Sequence, residues 1–192
     1  MEQTKSLLRA GIKAEVQKRG REYSSTEGME AIIHRVALWL IKDCDHDTPG
    51  LLLCGGIGNG KTTIIRAIQS LLSFIDYDQI VNGENRRVRL EIKDAREIVN
   101  LSRMDYHRYV QLRDCDFLGI DELGCEPLEA NNYGNVTNPV IELLSYRYAT
   151  QMPTLVTTNL GVKAIRETYG ARIADRFNEM MTKIIVTDKS FR

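Results

Sequence analysis

At 192 residues the chain is long enough for one α/β domain with a substantial core and too short for two ordinary domains joined by a linker. Its 26 basic and 26 acidic residues cancel, so any contact with nucleic acid must come from a local patch of charge. No apolar stretch is long enough to span a membrane, and charges interrupt residues 1–20, where a signal peptide needs an unbroken apolar centre. We therefore expect a cytoplasmic protein with no membrane partner.

The first 22 residues predict a basic helical extension. Apolar side chains recur at helical spacing among lysines and arginines, at Leu7, Leu8, Ile12 and Val16. A helix packed on the protein's own core is favoured over an arm that binds a partner or DNA. Ser24 and Glu27 then form a capping-box pattern, which predicts that an apolar helix follows and ends before Pro49. The main domain is expected to span residues 23–192.

Strand and helix patterns alternate through the rest of the chain, which favours a parallel sheet wrapped by helices. The predicted strands are Leu51–Cys54, Val88–Ile92, Phe117–Asp121, Thr154–Thr158 and Ile184–Thr187. Helices are expected to fill the intervals, and the polar segment Glu126–Asn138 is predicted to be a mobile loop. The cluster Arg86, Arg87 and Arg89 is a candidate for DNA contact, and a solvated strand edge is the favoured interpretation. The four cysteines form no CxxC pair, which argues against a zinc site.

Residues 55–62 match the phosphate-binding pattern G-x-x-x-x-G-K-[ST] in full, directly after an apolar strand. The glycines permit a tight turn whose backbone N–H groups point at phosphate oxygens, at the positive end of the next helix. We expect a nucleotide to bind along this loop, through Gly55, Gly56, Ile57, Gly58, Asn59, Gly60, Lys61, Thr62 and Thr63. Lys61 should reach the β- and γ-phosphates, and the Thr62 hydroxyl should hold Mg²⁺.

Two adjacent acids, Asp121 and Glu122, end the apolar strand that starts at Phe117. A Mg²⁺ ion on a triphosphate needs a carboxylate from a neighbouring strand, and Asp121 is placed to supply it. Glu122, one residue further, can polarise water for attack on the γ-phosphate, which favours hydrolysis over transfer to a substrate. Asn159 ends a later strand at the same edge of the sheet and could hold the attacking water.

Five motifs in order resemble the ATPase core of DnaC-type helicase loaders and the related IstB-type transposition ATPases, over about residues 24–192. They are the phosphate loop, Leu118–Gly124, Arg147–Leu160, Gly170–Phe177 and Ser190–Arg192. The resemblance implies an AAA+ P-loop NTPase fold, with a five-stranded parallel sheet of order 5-1-4-3-2 and no helical lid domain. It also implies self-association with ATP at subunit interfaces.

By position, the resemblance makes Lys61 and Thr62 the Walker A pair, Asp121 and Glu122 the Walker B pair, and Asn159 the sensor 1 residue. Arg176 is similar to the arginine finger that enters a neighbouring subunit's site, with Arg172 as the second candidate. A salt-bridged helix surface is the alternative for both. Arg192, the last residue, is similar to the sensor 2 arginine that contacts the nucleotide.

Several functions are compatible with these residues. The first is an ATPase that couples nucleotide state to oligomerisation and to handling of DNA or a replicative helicase, with single-stranded DNA as a possible ligand. The second is a transposition or phage-replication accessory that acts with a recombinase. A nucleoside or metabolite kinase would instead require lid arginines and an acceptor pocket. An ATP-binding scaffold without turnover is disfavoured by Glu122.

Overall fold

The computed structural model describes residues 1–42, 48–75, 78–81, 84–128, 130–132 and 135–187. Its helices are α1 (Glu2–Gln17), α2 (Glu27–Leu40), α3 (Lys61–Phe74), α4 (Ala95–Met104), α5 (Tyr106–Arg113), α6 (Pro139–Ala149), α7 (Val162–Tyr169) and α8 (Ala171–Met180). Its strands are β1 (Gly50–Gly55), β2 (Asp78–Val81), β3 (Glu84–Arg87), β4 (Leu90–Asp94), β5 (Phe117–Leu123), β6 (Ala130–Asn132), β7 (Asn135–Thr137), β8 (Thr154–Thr158) and β9 (Met181–Val186).

Five of these strands form one parallel sheet in the order β4-β5-β8-β1-β9. Counted along the chain, this is the order 5-1-4-3-2 read from the other edge, so the predicted fold and all five predicted strands are confirmed. Because all five strands are parallel, their carboxyl ends meet at one edge of the sheet, where ligands bind in folds of this type.

The sheet separates two apolar cores. Side chains alternate across β1, so Leu51 and Leu53 pack with α1, α2 and α3, whereas Leu52 and Cys54 face α4 to α8. The result is a three-layer arrangement with helices on both faces of the sheet.

Helix α1 lies against α3 rather than apart from the core. Leu8 and Ile12 are buried, and a Cβ built on Gly11 would lie 3.1 Å from the Cβ of Ala67 on α3. The Arg9 guanidinium also pairs with the Glu30 carboxylate of α2 at 2.6 Å. The N-terminal extension therefore contains a helix packed on the core, which is the interpretation that its sequence favoured. No described helix is long and apolar enough to cross a membrane.

Three local predictions differ from the structure. The segment predicted as a loop after Glu126 contains the antiparallel hairpin β6–β7, and a second hairpin, β2–β3, occupies part of an interval that helices alone were expected to fill. Helix α2 is capped by Thr26, whose hydroxyl accepts from the Met29 amide at 3.0 Å, and not by Ser24. The closing motif Ser190–Arg192 lies outside the described residues.

Candidate functional site

The phosphate loop connects β1 to α3 and is fixed by its glycines. Gly58 and Gly60 have φ values of 86° and 84°, a left-handed conformation that glycine adopts without strain. A Cβ on Gly55 would lie 2.3 Å from the carbonyl oxygen of Val186 on β9. The Asn59 side chain donates to that same oxygen at 2.9 Å. The loop is thus held tightly against the neighbouring strand.

Lys61 is the first residue of α3, and only 7% of it is exposed. Its ammonium donates to the carbonyls of Gly55 at 2.8 Å and Gly56 at 2.7 Å, and to Oδ1 of Asn159 at 2.8 Å. Burial lowers the pKa of Lys61, and the nearby Asp121 carboxylate opposes that shift. The side chain therefore joins the phosphate loop to the end of β8, a position that suits an anion-binding cation.

Asp121 lies at the centre of a network of hydroxyl groups. The Thr62 hydroxyl donates to its Oδ1 at 3.1 Å, and the buried Thr157 hydroxyl donates to the same oxygen at 2.5 Å. The expectation that Asp121 comes from a strand adjacent to β1 was wrong, because β8 lies between β1 and β5. Asp121 nonetheless meets Thr62 because α3 starts above this edge of the sheet.

A bulge in β5 contains Asp121 and Glu122. Ile120 pairs with Val156 and Leu123 pairs with Thr158, so Asp121 and Glu122 together face the single residue Thr157. Glu122 has a φ of 57°, which is rare for a residue with a side chain. Its amide donates to the Thr157 hydroxyl at 3.0 Å. The single hydroxyl group of Thr157 therefore contacts both acids, since it donates to the Asp121 carboxylate and accepts from the Glu122 amide.

Thr158 fixes the position of Asn159 in a similar manner. Its hydroxyl donates to the carbonyl of Leu123 at 2.7 Å and accepts from the amide of Leu160 at 3.0 Å. Gly124, with a φ of 102°, allows the chain after β5 to pass close beneath Leu160, since a Cβ there would lie 2.8 Å from a Leu160 methyl carbon. The ends of β5 and β8 are consequently locked together.

These residues surround a cavity of about 210 Å³. Its wall includes most of the phosphate loop together with Lys61, Thr62, Thr63, Glu122 and Asn159. The structure thus brings Lys61, Thr62, Asp121, Glu122 and Asn159 together, although they come from three separate parts of the sequence.

The opposite wall of the cavity comes from the N-terminal extension and the segment after it: Ile12, Val16, Arg19, Arg21 and Tyr23. The Tyr23 hydroxyl is buried and has no hydrogen-bond partner among the described residues. None of these residues was predicted from the sequence to belong to the site. The helical spacing of residues 1–22 indicated that α1 packs on the core, but it carried no signal of where on the core α1 would lie.

Arg172 and Arg176 lie on α8 and are not part of the cavity wall. The Arg176 guanidinium stacks on the ring of Tyr148, 5.0 Å from its centroid, and the Tyr148 hydroxyl donates to Glu179. Arg172 is exposed. These positions leave both arginines outside the site of their own chain. Arg192 lies outside the described residues.

A buried glutamate links the end of β5 to the helices that carry these arginines. Glu126 is 5% exposed and accepts from the Gly124 amide at 2.8 Å and from the Tyr169 hydroxyl. Tyr169 ends α7, and α8 follows directly after Gly170. Burial and the hydrogen bond to Glu126 raise the pKa of Tyr169, so this phenol stays protonated and remains a donor. Neither Glu126 nor Tyr169 was predicted from the sequence to have a role at the site.

The oxygen atoms at this site fit a magnesium ion that is bound together with phosphate. Within the described ranges, no group of three or more His, Cys, Asp or Glu side chains could hold a metal by itself. Thr62 and Asp121 offer one hydroxyl and one carboxylate, and Mg²⁺ in nucleotide sites takes few protein ligands because water and phosphate oxygens complete its octahedron. The donor set therefore matches a Mg²⁺–triphosphate complex and not a free metal ion.

Comparisons with known proteins support this architecture at the level of fold. No family model matches the sequence, and no curated protein matches it. Among solved structures, the DnaC helicase loader superposes with a TM-score of 0.66 at 15% identity, covering 94% of this chain and 98% of that one. DnaI superposes with a TM-score of 0.64 at 20% identity, covering 98% of this chain and 93% of that one.

A third structure, a putative primosome component from Streptococcus pyogenes, superposes with a TM-score of 0.62 at 16% identity, covering 88% of this chain and 84% of that one. The AMPPCP-bound DnaA from Aquifex aeolicus superposes with a TM-score of 0.57 at 13% identity, covering 84% of this chain and 48% of that one. The predicted resemblance to the core of DnaC-type helicase loaders is thus confirmed, as a likeness of fold.

Proposed function

We propose that this chain is an ATPase that binds ATP with Mg²⁺ and couples its nucleotide state to self-association and to the handling of a helicase or DNA. The observation that carries the proposal is that Lys61, Thr62, Glu122 and Asn159 line one cavity, with Asp121 hydrogen-bonded to Thr62 at its edge. Together these residues supply the groups that phosphoryl transfer to water requires: a cation, a metal-binding pair, a base and a polar side chain that orients water.

The roles follow from the contacts. Lys61 neutralises phosphate charge, and it can exchange its bond to Asn159 for one to a phosphate oxygen because the other two bonds keep it in the loop. Glu122, which lines the cavity, accepts the proton of the attacking water. Asn159 orients that water. When bound by Thr62 and Asp121, Mg²⁺ would neutralise charge on the phosphates.

The wider role rests on the structural neighbours. One is the DnaC helicase loader, and another is a DnaA bound to AMPPCP and single-stranded DNA, with a TM-score of 0.52. From these neighbours we infer a role in replication, in which nucleotide binds at subunit interfaces and a helicase or single-stranded DNA is the partner. A transposition accessory with a recombinase partner has the same site, so only identification of the partner separates the two functions.

Phosphate release without any acceptor tests the hydrolytic step. We expect the wild-type protein to release phosphate from ATP in Mg²⁺ buffer, and Glu122→Gln to bind ATP with little turnover because an amide cannot accept the proton of water. Glu167→Gln, on the exposed side of α7, is the matched control. Wild-type turnover in Glu122→Gln would refute the assignment of the base. Phosphate transfer only when a nucleoside or metabolite acceptor is added would favour a kinase.

Mixing two inactive variants tests whether Arg176 acts in a neighbouring subunit. Arg176→Ala keeps an intact phosphate loop but lacks the proposed arginine finger. Lys61→Ala keeps the arginine finger but has a defective phosphate loop. Each alone should lose turnover, by about a thousandfold or more for the missing finger. The mixture should recover turnover at mixed interfaces if the finger acts between chains. No recovery at concentrations where assembly is confirmed would mean that Arg176 acts within its own chain or is structural. The same mixture made with Arg172→Ala tests the second candidate.

A further inference from the structure

The backbone at the end of α1 places Arg19 against the first turn of α3. Gly20 has a φ of 69°, and the amides of Gly20 and Arg21 donate to the carbonyls of Gln17 and Val16 at 2.9 and 3.4 Å. This is the Schellman pattern, which ends a helix in one defined direction. The Arg19 side chain then donates from Nη1 to the hydroxyl of Thr63 at 3.2 Å. Thr63 follows directly after the proposed magnesium ligand Thr62.

The charge on Arg19 is not matched by a carboxylate there. Its hydrogen bond goes to a neutral hydroxyl, and no acidic side chain contacts it in the described part of the chain. It also lies at the amino end of α3, where the helix dipole is positive and repels a cation. The Lys61 ammonium on the same cavity wall is likewise bonded only to neutral oxygens, those of Gly55, Gly56 and Asn159. Two cations whose hydrogen bonds go to neutral groups favour an anionic ligand.

We propose that Arg19 is a phosphate-binding residue of the nucleotide site, supplied by the turn that ends the N-terminal helix of the same chain. The inference rests on the proposed function and deepens it. A guanidinium has five N–H donors in a planar fork, so the bond to Thr63 leaves others for phosphate oxygens. A bound triphosphate would replace the unfavourable pairing of Arg19 with the helix dipole by a charge-assisted hydrogen bond.

The way in which α1 packs on the core suits this role. Its close approach to Ala67 at Gly11, its buried Leu8 and Ile12, and its ion pair to Glu30 all fix the helix on the core. Arg19 therefore lies in a turn that is closed onto a packed helix, and not on a free arm. Nucleotide bound to Arg19 and the phosphate loop at once would in turn fasten α1 to α3.

Calorimetric titration of two probes into four folded proteins tests the proposal. The probes are a non-hydrolysable ATP analogue with Mg²⁺ and inorganic tripolyphosphate with Mg²⁺, and the proteins are wild type, Arg19→Gln, Arg19→Lys and the control Lys13→Gln, on an exposed position of α1. We expect Arg19→Gln to weaken both probes about ten- to a hundredfold, Arg19→Lys to weaken them less, and Lys13→Gln to match wild type. A purely structural contact with Thr63 would instead lower the stability of Arg19→Gln in urea and leave the affinity of the folded protein for both probes unchanged.

The outcomes separate this proposal from the one on which it rests. An affinity of Arg19→Gln that is within twofold of wild type for both probes, or no weaker than that of Arg19→Lys, would overturn the role of Arg19. ATP binding by the site would remain in place. Weaker binding of the ATP analogue alone would place Arg19 at the nucleoside end and overturn its phosphate role. A folded wild-type protein that binds neither probe would overturn the proposed function, and this inference with it.

Discussion

Replacing Thr157 by valine should remove the hydroxyl group that connects Asp121 to Glu122. The hydroxyl of Thr157 is buried, donates to Asp121 at 2.5 Å and accepts from the Glu122 amide at 3.0 Å. Valine keeps the shape and removes both bonds. A bond to a charged group contributes about 1.5–3 kcal/mol, and an unsatisfied buried N–H costs about 1–3 kcal/mol. Because Asp121 keeps its bond to Thr62, we expect a loss of roughly 2–4 kcal/mol in the free energy of unfolding.

Urea unfolding at neutral pH measures that loss, and Thr158→Val is its matched control. Thr158 is equally buried and also makes two hydrogen bonds, but both join neutral backbone groups, so a smaller loss of about 1–2 kcal/mol is expected. ATP turnover should fall in Thr157→Val because Glu122 loses the contact that holds the bulge. A change below about 1 kcal/mol in Thr157→Val would refute the view that one hydroxyl organises both acids.

Two further predictions concern the loop and the N-terminal helix. Gly55→Ala places a Cβ 2.3 Å from the Val186 carbonyl oxygen, so urea unfolding should show a loss of about 1–3 kcal/mol; wild-type stability would contradict the predicted clash. The bond from Arg9 lowers the pKa of Glu30 from 4.5 to about 2. Wild type should therefore exceed Glu30→Gln in stability at neutral pH, by at most about 1 kcal/mol for so exposed a pair, and lose this advantage as pH falls from 4.5 towards 2. A difference independent of pH over that range would exclude the ion pair as its cause.

The sequence predicted much of the fold because its signals are local. Apolar runs bounded by turn residues marked all five strands of the sheet, and the fixed glycines and Lys61 marked the loop. The strand order came from the resemblance and not from periodicity. Short hairpins such as β6–β7 were missed because polar strands of three residues have no apolar alternation to detect.

The candidate site was predictable in its charged residues but not in the contacts that aim them. Nothing in Asp121-Glu122 marks a bulge, since the register shift depends on pairing with β8. Thr157 has the same residue type as its neighbour Thr158, and only the pairing decides which hydroxyl reaches Asp121. Arg19 is one of several basic residues in the segment predicted as an amphipathic helix, and its place beside Thr63 depends on how α1 packs across α3.

Binding of a non-hydrolysable ATP analogue with Mg²⁺ tests most directly whether the phosphate loop is a nucleotide site. Calorimetric titration of the analogue should show saturable binding to the wild-type chain and to the control Lys163→Ala, in which an exposed lysine on α7 is removed. Lys61→Ala should bind at least about tenfold more weakly, because it loses a charge-assisted contact to phosphate. Equal affinity of Lys61→Ala and wild type, with both proteins folded, would contradict the assignment of the nucleotide to this loop.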